Sequence, residues 1–289
     1  MNFSKLEGRL LPCEEAEISE VFAEKQGVKK YPLLISGESN EIFGLVPSIL
    51  HGRSVVLDYD ETTEKYIVTK GNGLTYFPYG YINTEELTDN IWGICTESQA
   101  ERDYFGGEFV SRLGIITNEM QAYFSLENQK VRTEKAVEAE KPVILQYAVK
   151  CPYRIADLPF LTKKTVEYFT GNWNELHNSA YNQKHCIAAD VLMQNLSKLH
   201  MNGVLHNAIH SQNYTAMLEL LDFELARTPE TPYDTKDDEE SFGILQRREA
   251  VQSLEIVGFI ADFFGEEINK NAMSEILIKH GFSWMLPIK

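Results

Sequence analysis

The spacing of apolar positions changes along this chain, from alternation in the first half to helical recurrence in the second. Ser54–Asp58 (S-V-V-L-D) and Lys65–Lys70 (K-Y-I-V-T-K) are β-rich runs around the turn Y-D-E-T-T-E, which predicts a hairpin. Pro32–Ile35 is a shorter apolar run before them. A G-N-G turn and a Tyr/Thr/Asn-rich meander follow. A helix is then predicted from no earlier than about Ser98 to Leu113, where Gly114 stops it. Met120–Leu126 and Val143–Val149 read as two more strands, joined by a charged, solvated connection. Beyond them the period is helical. Ala188, Leu192, Leu196 and Leu199 share one face of a helix that ends before Gly203. Ala250–Phe264 is apolar nearly all round in its second half, which predicts a buried helix. Between these helices lie a short two-strand segment at Asn213–Phe223 and the polar loop T-P-E-T-P-Y-D-T-K-D-D-E-E.

Five strands with one helix, then helices with one small hairpin, is the order of an α+β, bilobal protein-kinase-like fold. Residues 1–149 form the β-rich lobe in this reading, and residues 150–289 the helical lobe. The chain has 289 residues, enough for two lobes with their own cores. A net charge of −16 argues against nucleic acid as a partner, because phosphate backbones need clustered Lys and Arg. The four cysteines lack metal or disulfide spacing. No apolar run is long enough for a bilayer and the first residues lack a secretory signal, so no membrane partner and a cytoplasmic location are expected.

The chemistry concentrates in H-N-A-I-H-S-Q-N-Y-T-A-M-L-E-L-L-D-F-E. It places Asn213 and Asp222 at the two ends of a short hairpin. A carboxamide and a carboxylate are hard oxygen ligands suited to a Mg²⁺ that bridges phosphates. Lys70, at the end of a strand, and Glu108, inside the next helix, complete an ordered set. In a kinase-like fold a strand lysine contacts nucleotide phosphate, and a helix glutamate orients it. Ala208 occupies the position of a protein kinase's catalytic aspartate.

These segments resemble the selenoprotein O family of pseudokinase-like AMP transferases. K-G-N-G-L-T-Y-F at Lys70–Phe77 is similar to that family's K-G-x-G-x-T block, and G-R-S-V-V-L, with Gly52 and Arg53, to the strand ahead of it. G-G-E-F-V-S-R-L-G-I-I-T resembles the family's helix-and-turn block, with Glu108 at the glutamate that pairs with the lysine. G-V-L-H-N-A-I-H-S-Q-N and L-L-D-F-E resemble its metal-binding blocks. The family also lacks an aspartate at the position of Ala208. The resemblance implies ATP and Mg²⁺ (or Mn²⁺) as cofactors, with Lys70, Gly52, Arg53 and Arg154 on phosphates and Asn213 and Asp222 on metal. The implied reaction moves AMP from ATP, or phosphate in a variant, to a hydroxyl of a protein, peptide or small-molecule acceptor.

The chain departs from the family at several positions. Gln212 stands where the family has an acidic residue, and an amide cannot serve as a general base. His210 is the candidate substitute. Tyr147 replaces the first arginine of a pair whose second is Arg154, and Glu224 follows the aspartate motif in place of a glycine. The alternative function is therefore a catalytically impaired nucleotide-binding scaffold or switch.

Overall fold

The computed structural model describes residues 4–7, 9–10, 13–18, 33–34, 42–46, 54–71, 95–126, 142–230 and 239–286. The chain divides into two compact units. One comprises Met1–Glu108 with Asn118–Pro152, the other Phe109–Thr117 with Tyr153–Lys289.

The first unit is built on antiparallel strands. These are β1 (Ser4–Glu7), β2 (Arg9–Leu10), β3 (Cys13–Ile18), β4 (Leu33–Leu34), β5 (Ile42–Val46), β6 (Ser54–Asp60), β7 (Lys65–Lys70), β8 (Cys95–Thr96), β9 (Glu119–Leu126) and β10 (Pro142–Val149). The main sheet runs β1-β5-β6-β7-β10-β9-β3, with β8 also on β10; β2 and β4 pair separately. The expected hairpin is β6–β7, with Ser54 opposite Lys70 and Asp60 opposite Lys65. The two later strands, β9 and β10, are neighbours. β7 and β10 lie inside the sheet, and their residues from Tyr66 to Lys70 and from Val143 to Val149 are buried. A central strand buried on both faces explains why these runs are apolar rather than strictly alternating.

Helix α1 spans Glu97–Arg112, beginning one residue before the predicted limit. Gly114 ends it at φ +68, a left-handed stop that suits glycine. In the first unit Ala100, Asp103, Tyr104 and Gly107 are buried at helical spacing. The Tyr104 ring meets Tyr123 of β9 edge-on at 5.6 Å, which fixes the rotation of the helix on the sheet.

The second unit contains α2 (Lys163–Thr170), α3 (Trp173–Leu176), α4 (Lys184–Met201), α5 (Glu239–Phe264) and α6 (Lys270–Lys279), with 3₁₀ turns at Ile155–Phe160 and Ser283–Met285. The predicted face of α4 is buried, and Gly203 at φ +71 follows the helix. Helix α5 is longer than expected and amphipathic rather than buried all round. Ala250, Ser253, Ile256, Val257, Ile260 and Ala261 face inward, while Val251, Glu255 and Asp262 face solvent. The predicted two-strand segment is reduced to a single antiparallel bridge, Tyr214 to Leu220. No helix among the described residues is long and apolar enough to cross a membrane.

Candidate functional site

In the first unit, Lys70 ends β7 between β6 and β10, opposite Ser54 and Leu145. Gly71 follows at φ +96, and a Cβ there would stand 2.5 Å from the Val143 carbonyl oxygen. Glycine is therefore required directly after the lysine. The Lys70 ammonium lies 2.6 Å from a carboxylate oxygen of Asp103. Exposures of 5 % for Lys70 and 1 % for Asp103 put this pair beyond solvent screening.

Asp103 was not among the expected partners of Lys70, and it lies on the same helix as the expected Glu108. Asp103 and Glu108 are five positions apart on α1, roughly 140° around a helix. The Tyr104–Tyr123 contact turns the Asp103 side of the helix onto the sheet, and Glu108 is half-buried off that stripe. The sequence signal was present in the phase, since Asp103 is the acid among the positions of Ala100 and Gly107. Gly52 and Arg53 lie outside the described residues.

In the second unit the Asn213–Asp222 segment is an irregular loop tied together by backbone bonds. Leu221 N–H donates to the Asn213 carbonyl at 2.9 Å, which sets the residue before Asp222 against Asn213. Asn213 N–H donates to the His210 carbonyl at 2.9 Å. The hairpin tip is anchored where Ala216 N–H donates to the Tyr153 carbonyl and buried Trp173 Nε1–H donates to the Ala216 carbonyl at 2.9 Å. From the other side, Leu220 N–H donates to the Ile116 carbonyl and Thr117 Oγ1–H to the Leu220 carbonyl. The L-G-I-I-T segment thus pairs with the residues leading into Asp222. Asn207, Leu218 and Asp222 all adopt positive φ (63°, 63° and 69°). Such angles are uncommon outside glycine and are favoured by Asn and Asp.

Asn213 is buried and its amide is oriented. Nδ2 donates to the Ala208 carbonyl at 3.0 Å and approaches His210 Nε2 at 3.3 Å. Because a carbonyl cannot donate, the amide nitrogen must lie on that side, leaving Oδ1 for a ligand. Asp222 is half-buried and adds a carboxylate. This donor set fits a hard divalent cation such as Mg²⁺. Arg154 belongs to the same assembly. Its backbone bridges Thr215, and its N–H donates to Asp157 Oδ2 at 2.7 Å. Gln212 is exposed and Glu224 half-buried.

Two supporting residues escaped the sequence reading. Glu249 of α5, fully buried, accepts from the Asn207 backbone N–H at 2.6 Å through Oε1 and meets His200 Nε2 at 2.8 Å through Oε2. His206 Nε2–H donates to the Leu221 carbonyl at 2.8 Å. Together they tie the loop's two arms to α4 and α5. Burial holds His206 below the ordinary imidazole range, against the opposing pull of Glu249, the Leu221 carbonyl and Asp222. His210 is lowered too, first by desolvation of its ring, with the Arg154 charge adding and the Asp222 charge opposing.

A second cluster has the outline of a nucleophile triad. Cys186 Sγ is 3.3 Å from His185 Nε2, and His185 Nδ1 is 2.7 Å from Glu266. Its bonds mark it as a helix cap instead. Glu266 accepts from Lys184 and His185 N–H at the start of α4, and Asn269 N–H donates to His185 Nε2. Burial pushes the Cys186 thiol up to about 11, which is wrong for a nucleophile.

No protein-family model matches the chain, and no curated protein matches it significantly. Solved structures similar to it include WaaP in complex with acyl carrier protein, at 14% identity and a TM-score of 0.37, covering 82% of this chain and 83% of that one. A Toxoplasma gondii rhoptry antigen kinase domain matches at 11% identity and a TM-score of 0.38, covering 97% of this chain and 88% of its own. The ROP18 kinase domain in complex with AMP-PNP and sucrose matches at 10% and 0.35, over 83% and 81%. Two of the three are kinase domains by name. Among the described residues this chain combines helices with antiparallel strands.

Proposed function

We propose that this chain is a kinase-like, nucleotide-binding protein of selenoprotein O type, which takes ATP with Mg²⁺ or Mn²⁺ and transfers AMP to a hydroxyl acceptor. The observation that carries the reading is the Asn213–Asp222 loop, with its amide nitrogen engaged, its amide oxygen open and a carboxylate held nearby in sequence and backbone pairing. In this reading Asn213 and Asp222 hold the metal, which neutralises phosphate charge when bound. Lys70 and Arg154 act on phosphates, and Asp103, which meets the Lys70 ammonium, joins Glu108 in orienting it. Phosphoryl and nucleotidyl transfer depend chiefly on positioning and electrostatic stabilisation, so a weak base slows the reaction without abolishing it.

A second reading, a binding module that retains nucleotide without turnover, is favoured by the same loop. The base role would fall to Gln212, an amide, or to His210, whose Nε2 faces Asn213. ATP labelled at the α or the γ phosphate, incubated with Mn²⁺ and a panel of protein acceptors, separates these readings. Retention of α label that is lost in Asp222→Ala supports AMP transfer, and γ label alone supports phosphorylation. ATP-dependent thermal stabilisation without incorporation supports the binding module. No stabilisation and no incorporation sinks the nucleotide reading.

A further inference from the structure

We infer that His210 is a positioning residue rather than a base: its Nε2 holds the Asn213 amide so that Oδ1 is the atom presented to a cation. The inference rests on the metal-binding reading above and deepens it.

An asparagine amide has two N–H donors and one oxygen acceptor, and a half-turn about its last bond exchanges them. A metal ligand needs the oxygen outward, so whatever fixes that rotation controls affinity. Here the Ala208 carbonyl accepts one N–H at 3.0 Å. His210 Nε2, at 3.3 Å, is placed to accept the other. That contact is favourable only with a lone pair on Nε2, which puts the ring proton on Nδ1. The same lone pair would have to take a proton from an acceptor hydroxyl if His210 were a general base. Asn213 is 5 % exposed, and its own N–H and carbonyl are committed to His210 O and Leu221 N. The remaining freedom of the residue is therefore the amide rotation, and His210 reaches it from an exposed position. Partners of metal ligands commonly change affinity about 10–100-fold when removed.

A mutant cycle on binding of the Mn²⁺–ATP complex, measured by calorimetry, tests this. His210→Leu, neutral and unable to accept, should weaken binding about tenfold. His210→Gln, whose Oε1 can accept, should stay within about twofold of the parent. In an Asn213→Asp background either carboxylate oxygen can face the metal, so His210→Leu should cost less than about twofold there. An equal loss in both backgrounds would make His210 merely structural and overturn the inference, as would full binding by His210→Leu. His210→Ala repeats the test should the leucine variant fold poorly. If the parent protein itself binds no Mn²⁺–ATP, the metal reading falls and takes this inference with it.

Discussion

The Lys70–Asp103 pair of the strand-rich unit and the Asn213–Asp222 loop of the helical unit both keep polar groups away from water, and they are stabilised in opposite ways. The first is two full charges fixed by regular elements, a central strand and a helix whose phase is set by Tyr104 on Tyr123. Its stability comes from the charges cancelling. The second is irregular backbone tied by hydrogen bonds among amides, carbonyls and imidazoles, which turn Asn213 Oδ1 away from the Ala208 carbonyl. Removing half of a charge pair leaves a buried charge, whereas removing one loop bond loosens a geometry. The two regions should therefore fail differently when mutated.

The largest expected effect is on the charge pair. Asp103→Ala should destabilise the fold by about 3–5 kcal/mol in urea unfolding, because the buried Lys70 charge loses the Asp103 carboxylate at 2.6 Å. Lys70→Met combined with Asp103→Leu should recover most of that loss. Glu108→Ala should cost less than Asp103→Ala, because Glu108 is half-buried where Asp103 is buried, and an equal cost would give the two acids equal weight at Lys70.

The loop's anchor comes next. Glu249→Ala leaves the Asn207 N–H and His200 without their buried acceptor, at about 2–3 kcal/mol. Glu249→Gln, which can still accept from Asn207, should cost less. Equal losses would mean that charge rather than geometry anchors the loop.

Acidification probes the loop from another side. Unfolded imidazoles take up a proton near pH 6.5, while folded His206 resists it because its pKa is lowered by burial. The unfolded state then binds more protons, so stability falls as pH drops below about 6.5, by about 1 kcal/mol near pH 5.5. His210 adds to this with the same sign. Burial pushes the Glu266 and Asp190 carboxyls up, but the Lys184 and His185 bonds to Glu266 and the His280 and Lys279 bonds to Asp190 hold both low, so these contributions are lost only further down, below about pH 4.5. Unfolding midpoints in denaturant at several pH values should show both declines. A stability that is flat from pH 7.5 to 5.5 would contradict neutral His206.

The smallest effect on stability is at Asp222. Glycine eases the backbone at φ +69 while the carboxylate's interactions are lost, so Asp222→Gly should change stability by less than about 1 kcal/mol in thermal unfolding while abolishing Mn²⁺–ATP binding. Asp222→Asn should keep the stability of the parent and lose most of the binding. A larger loss in Asp222→Gly would show that the carboxylate's interactions outweigh the relief of the backbone.

Much of the fold was legible in the sequence. Periodicity located β6–β7, β9, β10, α1 and α4 to within a few residues, because burial on one face or both imposes a period that composition records. Helix α5 misled. Its apolar second half suggested burial, yet Asp262 there and Val251 and Glu255 ahead of it meet solvent. The hairpin at Asn213 was read as strands although its shape comes from positive-φ residues and single bridges, which leave no periodic trace.

The sequence by itself determined which residue types stand at the ends of that loop, and that glycine follows Lys70. Local chain geometry dictates such positions. Only the tertiary structure decided which acid meets Lys70, because a helix carries acids on several faces and its rotation is set by packing against a sheet distant in sequence. It likewise decided that Glu249 and His206 brace the loop, since Glu249 joins it to α5 and α4 and the His206 bond joins residues 15 positions apart. An amide's rotation, finally, depends on its neighbours in space, so the oxygen that Asn213 offers could be read only from Ala208 and His210.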